Sequence, residues 1–251
     1  MIVSGSKMHP AGFLYHLGWT AVDWLFPPYC IDCGTLGERW CQACQEKVPF
    51  LAPPLCEQCG RPIERAGLCP ECQHEPLPLD GVRSCYVYEG TIREAIHRLK
   101  FEKDLGLAEI LAKALVKTLS HEHWNIEVIT SVPVSSTRMK ERGYNQAEML
   151  AVPLALITGI PYKRSLLKRI KESPSQIGLG RQERQENIRD AFVATARASQ
   201  FSSILVIDDV ITTGSTLQSC ALALREQGVK QVFGLTLARA ISRDPLARAI
   251  S

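Results

Sequence analysis

The chain has 251 residues, of which 45% are hydrophobic and 22% charged, with a formal net charge of +3. That supports a real core, enough for one α/β domain of ordinary size plus a small extra module. The near-neutral balance excludes any argument for nucleic-acid binding from overall charge, so such an argument has to come from local clusters.

Residues 1–28 contain AGFLYHLGWTAVDWLF, an apolar-rich stretch interrupted by His16, Gly18 and Asp23. No small-residue cleavage site follows it, and it is shorter than the roughly 20 apolar residues that span a bilayer. It reads as a short amphipathic helix that packs on the body or on a partner. No other long apolar run occurs, so a cytoplasmic location is expected.

Ten cysteines occur, and eight of them lie between positions 30 and 72 as four CxxC pairs: Cys30/Cys33, Cys41/Cys44, Cys56/Cys59 and Cys69/Cys72. Two cysteines separated by two residues can point both sulfurs at one tetrahedral ion from a tight turn, and two such pairs complete a four-thiolate site. A glycine follows Cys33 and Cys59, which suits a knuckle that needs positive φ. The residues between the pairs are proline-rich and polar, so a metal is expected to hold this segment together. With no export signal, a reducing compartment disfavours disulfides. Structural zinc is the reading taken for residues 29–74, as a double zinc ribbon with sequential pairing. An iron–sulfur cluster, interleaved pairing, or one site with degenerate leftovers are the alternatives. No position is left open for water, so the metal is structural. Cys85 and Cys220 stand alone as core residues.

HEPLPLDG, from His74 to Gly81, is proline-rich, ends in a turn signal and marks the module boundary. The texture then becomes α/β over residues 80–242. VRSCYVY has strand character, TIREAIHRLKF and LGLAEILAKALVKTLS have helical spacing, EVITSVPV reads as a strand and YNQAEMLAVPLALIT as a helix. ILVID is a strand, STLQSCALALREQG a helix ending at its glycine, and VKQVFGLTLARA a final strand. Strands alternating with helices imply right-handed crossovers and a mostly parallel sheet, with ligands at the carboxyl ends of its strands.

The stretch ILVIDDVITTGSTL concentrates the chemistry. Its strand delivers Asp208 and Asp209 to the sheet edge, and Thr212, Thr213, Gly214, Ser215 and Thr216 turn into the next helix. The glycine permits close backbone approach, and amides at a helix amino terminus favour an anion. Two carboxylates facing a phosphate would repel it, so they serve another part of the same ligand; a vicinal diol is the natural partner. A ribose 5-phosphate fits, with its phosphate in the turn and its 2- and 3-hydroxyls on the acidic pair. A P-loop is excluded because no lysine follows the glycine, and a dinucleotide fold because GxGxxG is absent.

VIDDVITTGST resembles the phosphoribosyl pyrophosphate (PRPP) motif of type I phosphoribosyltransferases. LKFEKDLGLAEILA, SVPVSSTRMKERGYNQAEMLA and PSQIGLGRQERQENIRDAF resemble successive signatures of the ComF family, which carries such a domain behind a cysteine-rich zinc module. The resemblance covers most of residues 30–240. It implies a type I phosphoribosyltransferase fold (a parallel sheet flanked by helices), PRPP and magnesium as ligands, and an association with natural competence, the uptake of single-stranded DNA. It makes Asp208 and Asp209 the candidate catalytic pair, and implies that Arg138 and Arg142, in the loop after the second strand, and Lys100, at the family's lysine position, contact pyrophosphate. An arginine suits that contact because its planar fork meets two phosphate oxygens at once.

From Lys163 to Asp190 the chain holds eight Lys/Arg against four Asp/Glu, its most basic part, broken by Pro174, Gly178 and Gly180. Much of it is expected to be a mobile loop, and in related enzymes a loop at this place closes over PRPP. Arg181 and Arg184 are its candidates for contact with pyrophosphate or a nucleic-acid backbone. Three functions stay open: a transferase acting on an unidentified base, a PRPP or nucleotide sensor without turnover, and a single-stranded-DNA accessory working with a competence helicase or other uptake protein. Arg39, Trp40, Arg61, Arg65 and Tyr144 offer the last of these charge and stacking.

Overall fold

The computed structural model describes residues 27–102, 104, 106–171 and 191–241. The expected amino-terminal helix lies outside them, apart from its last two positions, and so do Arg181 and Arg184. A four-stranded parallel sheet organises the body, in the order β1 (Gly81–Val87), β6 (Gln231–Arg239), β5 (Ser203–Ile211), β2 (Val128–Ser131). Its strands are buried on both faces, which is why they read as continuous apolar runs. Side chains alternate between two cores. Leu205, Ile207, Phe233 and Leu235 join one, while Ile204, Val206 and Val232 join the other.

On the first face lie α3 (Gly90–His97), α4 (Leu107–Ser120) and α6 (Gln146–Thr158). In α4 the buried Leu107, Ala108, Leu111, Leu115 and Leu119 recur at helical spacing, forming one apolar stripe. α6 starts at Asn145, whose side chain accepts a hydrogen bond from the Ala147 amide, and stops at Gly159, which takes the left-handed conformation. A short α5 (Ser136–Arg142) precedes it, capped by the Ser135 hydroxyl, which accepts from the Arg138 amide. The opposite face carries α7 (Ser215–Glu226) and an antiparallel pair, β3 (Leu167–Arg169) with β4 (Phe192–Ala194).

That pair corrects the expectation of a mobile loop for the start of the basic segment. Leu166 and Leu167 are buried, and Arg164 forms an ion pair with Glu148. Two adjacent leucines inside a charged stretch were enough to anchor it on the second core. The expected helix TIREAIHRLKF also divides: after His97 the chain widens into a π-helical turn, Arg98–Glu102, which carries Lys100.

Residues 29–74 fold as one small unit built twice. In each half a knuckle brings two cysteines together, and the second pair opens a helix: α1 (Gln42–Lys47) after Cys41 and α2 (Pro70–His74) after Cys69. Both halves dock on the outer edge of β1. The Leu51 amide donates to the Cys85 carbonyl at 2.8 Å and the Val82 amide to the Gln58 carbonyl at 2.7 Å. Covering this edge removes an unpaired strand that would otherwise invite association. The first half shares the main core, for Trp40 is 2% exposed and packs its ring edge-on to Tyr86. The second approaches so closely that a Cβ on Gly60 would lie 2.1 Å from the Val82 carbonyl oxygen, and Gly60 also has φ +69°. The boundary stretch is likewise packed: Leu79 is 2% exposed, and Asp80 pairs with Arg225.

Candidate functional site

Eight cysteines form two four-sulfur clusters, Cys30/Cys33/Cys41/Cys44 and Cys56/Cys59/Cys69/Cys72, with all ligand atoms of each within 4.8 Å of one another. The pairing is therefore sequential. Sulfurs at 3.7 Å separation (Cys30–Cys41, Cys33–Cys41, Cys59–Cys69) match the edge of a tetrahedron with a metal–sulfur bond of about 2.3 Å, for which about 3.8 Å is expected. Backbone amides turn toward the sulfurs, Cys41 to Cys30 Sγ at 3.4 Å and Cys69 to Cys56 Sγ at 3.3 Å. Each donor set offers four thiolates to one structural zinc ion.

The second site arises where β5 outruns its neighbour. β2 ends at Ser131, opposite Ile207, whereas β5 continues through Asp208 and Asp209 to Ile211. Beyond that step lies a cleft of about 310 Å³ lined by residues including Tyr88, Lys100, Arg138, Arg169, Asp208, Asp209, Thr212 and Thr216. Asp209 is 4% exposed. Lys100 reaches it as an ion pair, and Gln146 Nε2 donates to its Oδ1 at 3.2 Å. Burial works to raise the Asp209 carboxyl, but the Lys100 charge and hydrogen bonds from Lys100, Asp208 and Gln146 outweigh it and hold the group below its ordinary value. Asp208 is half-buried and accepts the Asp209 amide at 2.9 Å. Burial, and then the charge of Asp209, push its carboxyl well above the ordinary range. The two carboxyls are thus pushed in opposite directions, Asp209 toward the ionised form and Asp208 toward the neutral one.

The turn after β5 is set by Gly214, which at φ +83° adopts a conformation closed to most residues and opens α7. Thr213 Oγ1 and Ser215 Oγ are 2.9 Å apart, and the Ser215 amide lies 3.4 Å from Thr213 Oγ1, so these two hydroxyls brace the turn while Thr212 and Thr216 face the cleft. Arg142 behaves differently from Arg138. Its Nη1 donates to Gln146 Oε1 at 2.9 Å and its guanidinium lies over the Phe101 ring, 4.9 Å from the centroid. It stands behind the residue that holds Asp209, whereas Arg138 lines the cleft.

Comparison with known proteins now adds a family. The double zinc ribbon domain family matches residues 21–73. Competence protein F of Haemophilus influenzae is 31% identical over 223 residues, covering 84% of this chain and 96% of that protein. The chain belongs to the competence protein F (ComF) family. Other relatives are the DNA utilization protein YhgH of Salmonella typhimurium, 30% identical over 80% of this chain and 90% of that protein, and the competence protein ComFC of Bacillus subtilis, 28% identical over 80% and 85%. Among solved structures, a glutamine PRPP amidotransferase from B. subtilis aligns with 51% of this chain and 25% of its own at 24% identity and TM-score 0.35. A Neisseria gonorrhoeae protein with bound ppGpp aligns at 12% identity over 55% of this chain and 69% of its own, with TM-score 0.33. Likenesses at that level carry no part of the assignment.

In this ComF-family chain the sheet step gathers Lys100, Arg138, Asp208, Asp209, Thr212 and Thr216, drawn from three separate stretches of sequence. Sequence reasoning missed Gln146, Tyr88, Arg169 and Phe192. Gln146 had a signal, since it is the first helical residue after the Gly143–Asn145 turn and a polar group at the buried end of α6. Arg169 and Phe192 had none, because only the β3–β4 pairing brings them to the cleft. Among the described residues, no helix is long and apolar enough to cross a membrane.

Proposed function

We propose that the cleft binds PRPP and that the protein, with magnesium, transfers its phosphoribosyl group to a nitrogen base in the service of DNA uptake or use. The observation that carries this reading is the acidic pair at the carboxyl end of β5, sharing one cleft with Lys100, Arg138 and the hydroxyls of the Gly214 turn. Asp208, whose Oδ1 already accepts the Asp209 amide, presents its remaining oxygen to a ribose diol. Thr212, Thr216 and the amides at the start of α7 receive the 5-phosphate. Arg138 and Lys100 take pyrophosphate, and Arg142 keeps Gln146 on Asp209. The hard oxygen donors of the two aspartates fit magnesium, which supplies charge neutralisation to the leaving pyrophosphate. The chain's own residues position and desolvate the sugar, while the C1–O bond to pyrophosphate breaks and a C1–N bond forms. The competence and DNA-utilization names of the relatives support the biological setting.

Calorimetry with PRPP and magnesium tests the reading, on wild type and on the Asp208→Asn/Asp209→Asn double variant. Binding lost in the variant is the expected result, followed by a screen of bases for pyrophosphate release. A wild-type protein that takes up no PRPP would sink it.

A further inference from the structure

The two cysteine clusters repeat one local design in opposite surroundings. In the second cluster Cys56, Cys59, Cys69 and Cys72 are all buried, at 0%, 8%, 2% and 3% exposure. Four thiolates around a divalent ion carry two negative charges, and two guanidiniums stand by to offset them. Arg239, 5% exposed, donates from Nη2 to the Cys59 carbonyl, and Arg61 lies beside Cys59 and Cys69 while also pairing with Glu71. The first cluster exposes Cys33 to solvent and leaves Cys41 half-exposed. Among the described residues each cluster has an acid against it: Glu71 Oε2 stands 3.9 Å from Cys69 Sγ in the second but is paired with Arg61, whereas in the first Asp32 sits against Cys44 and accepts the Thr91 hydroxyl at 2.8 Å. Arg39 is turned to Asp104 at 2.6 Å, and Lys47 bears on Asp32.

We propose that the first cluster, through Cys33, is an oxidant-reactive and exchangeable zinc site, while the second holds its ion permanently. Oxidants reach thiolates that are accessible, and an anionic site with fewer cations beside it among the described residues holds its ligands together less firmly. The co-reactant is a hydroperoxide. Its oxygen transfers to the Cys33 thiolate, giving a sulfenic acid and, from hydrogen peroxide, one hydroxide. The Cys41 thiolate, 3.7 Å away, then attacks the Cys33 sulfur and expels a second hydroxide, leaving a disulfide. Two thiolates lose two electrons, the peroxide gains them, and two of four ligands are gone, so the ion leaves. Asp32 and Arg39 tie this ribbon to α3 and to Asp104, on either side of the turn carrying Lys100, so the loss is felt next to the cleft.

The test uses the full chain loaded with two zinc ions, treated with limiting hydrogen peroxide beside a chromogenic chelator. One equivalent is expected to leave at least about tenfold faster than the other, as accessibility controls thiolate oxidation. Peptide mapping should then find the first disulfide among Cys30–Cys44, with Cys56–Cys72 still reduced. Both ions leaving together, or a first disulfide in the second cluster, would overturn the proposal. Arg239→Met should speed loss of the second ion and leave the first unchanged; an unaltered second rate would overturn the charge explanation. A preparation retaining one ion is read by the same mapping, and an ion held on Cys30–Cys44 instead would count against it.

Discussion

Both the ribbons and the cleft force like charges together, and they resolve the conflict in different ways. In the ribbons, sets of four sulfurs crowd within 4.8 Å, and the residues around the second set offer little else: its cluster consists of the four cysteines, with Ile63 and Leu77 packed alongside. An ion from outside the chain must supply the missing cohesion. At the sheet step two adjacent carboxylates meet, and the chain supplies its own counter-charge from Lys100, with Gln146 completing the shell. A site that needs an ion to exist is structural, whereas one balanced internally is free to exchange that balance for a ligand.

The comparison breaks most decisively at the second cluster. Cys59→Ala removes a ligand from a region with no other core, so residues 55–73 are expected to unfold at a cost of several kcal/mol, as structural zinc contributes about 10–16 kcal/mol to small ribbons. Zinc stoichiometry falling by one, with protease cleavage confined to that region, is the readout; a folded, protected ribbon would refute the dependence on metal. Trp40→Ala sharpens the contrast within the ribbons, because the first half also leans on the main core. About 3–5 kcal/mol is expected from loss of this side chain, read by urea unfolding with zinc retained.

At the cleft, Lys100→Met leaves Asp209 buried without its partner and should cost about 3 kcal/mol at pH 7. Without Lys100, burial raises the variant's Asp209, so the loss is expected to shrink as pH falls from that raised value toward the depressed wild-type one; a pH-independent loss would mean the ion pair is not what matters. The smallest effect has the opposite sign. Asp208→Asn removes the repulsion with Asp209 and should raise the thermal midpoint at pH 7 by about 2–4 °C, the shift that roughly 1 kcal/mol makes in a chain of this size. Because the wild-type carboxyl sits above its ordinary value, its disadvantage is absent at low pH and grows as pH rises through that value. A midpoint that falls instead would show that Asp208 is held by contacts an amide cannot replace.

Several features were legible before any coordinates. Four CxxC units declare two tetrahedral sites because ligand spacing within a knuckle is a local matter of a few bonds. The strand, acidic pair and glycine turn of residues 204–217 were legible because burial period, charge and positive φ are all read from neighbouring residues. The parallel pairing of the sheet followed from alternating strands and helices and their right-handed crossovers, whereas the strand order came only with the structure. The ion pair between Lys100 and Asp209, the Gln146 support, the arrival of Arg169 and Phe192 from the β3–β4 pair, and the docking of both ribbons on β1 were not legible. Each joins positions from tens to about a hundred residues apart, and no periodicity encodes such a distance. The sequence by itself determined which groups would need a counter-charge. Only the tertiary structure decided which side chain provides it, because that choice depends on which strand ends where, and on what the step at its end leaves uncovered.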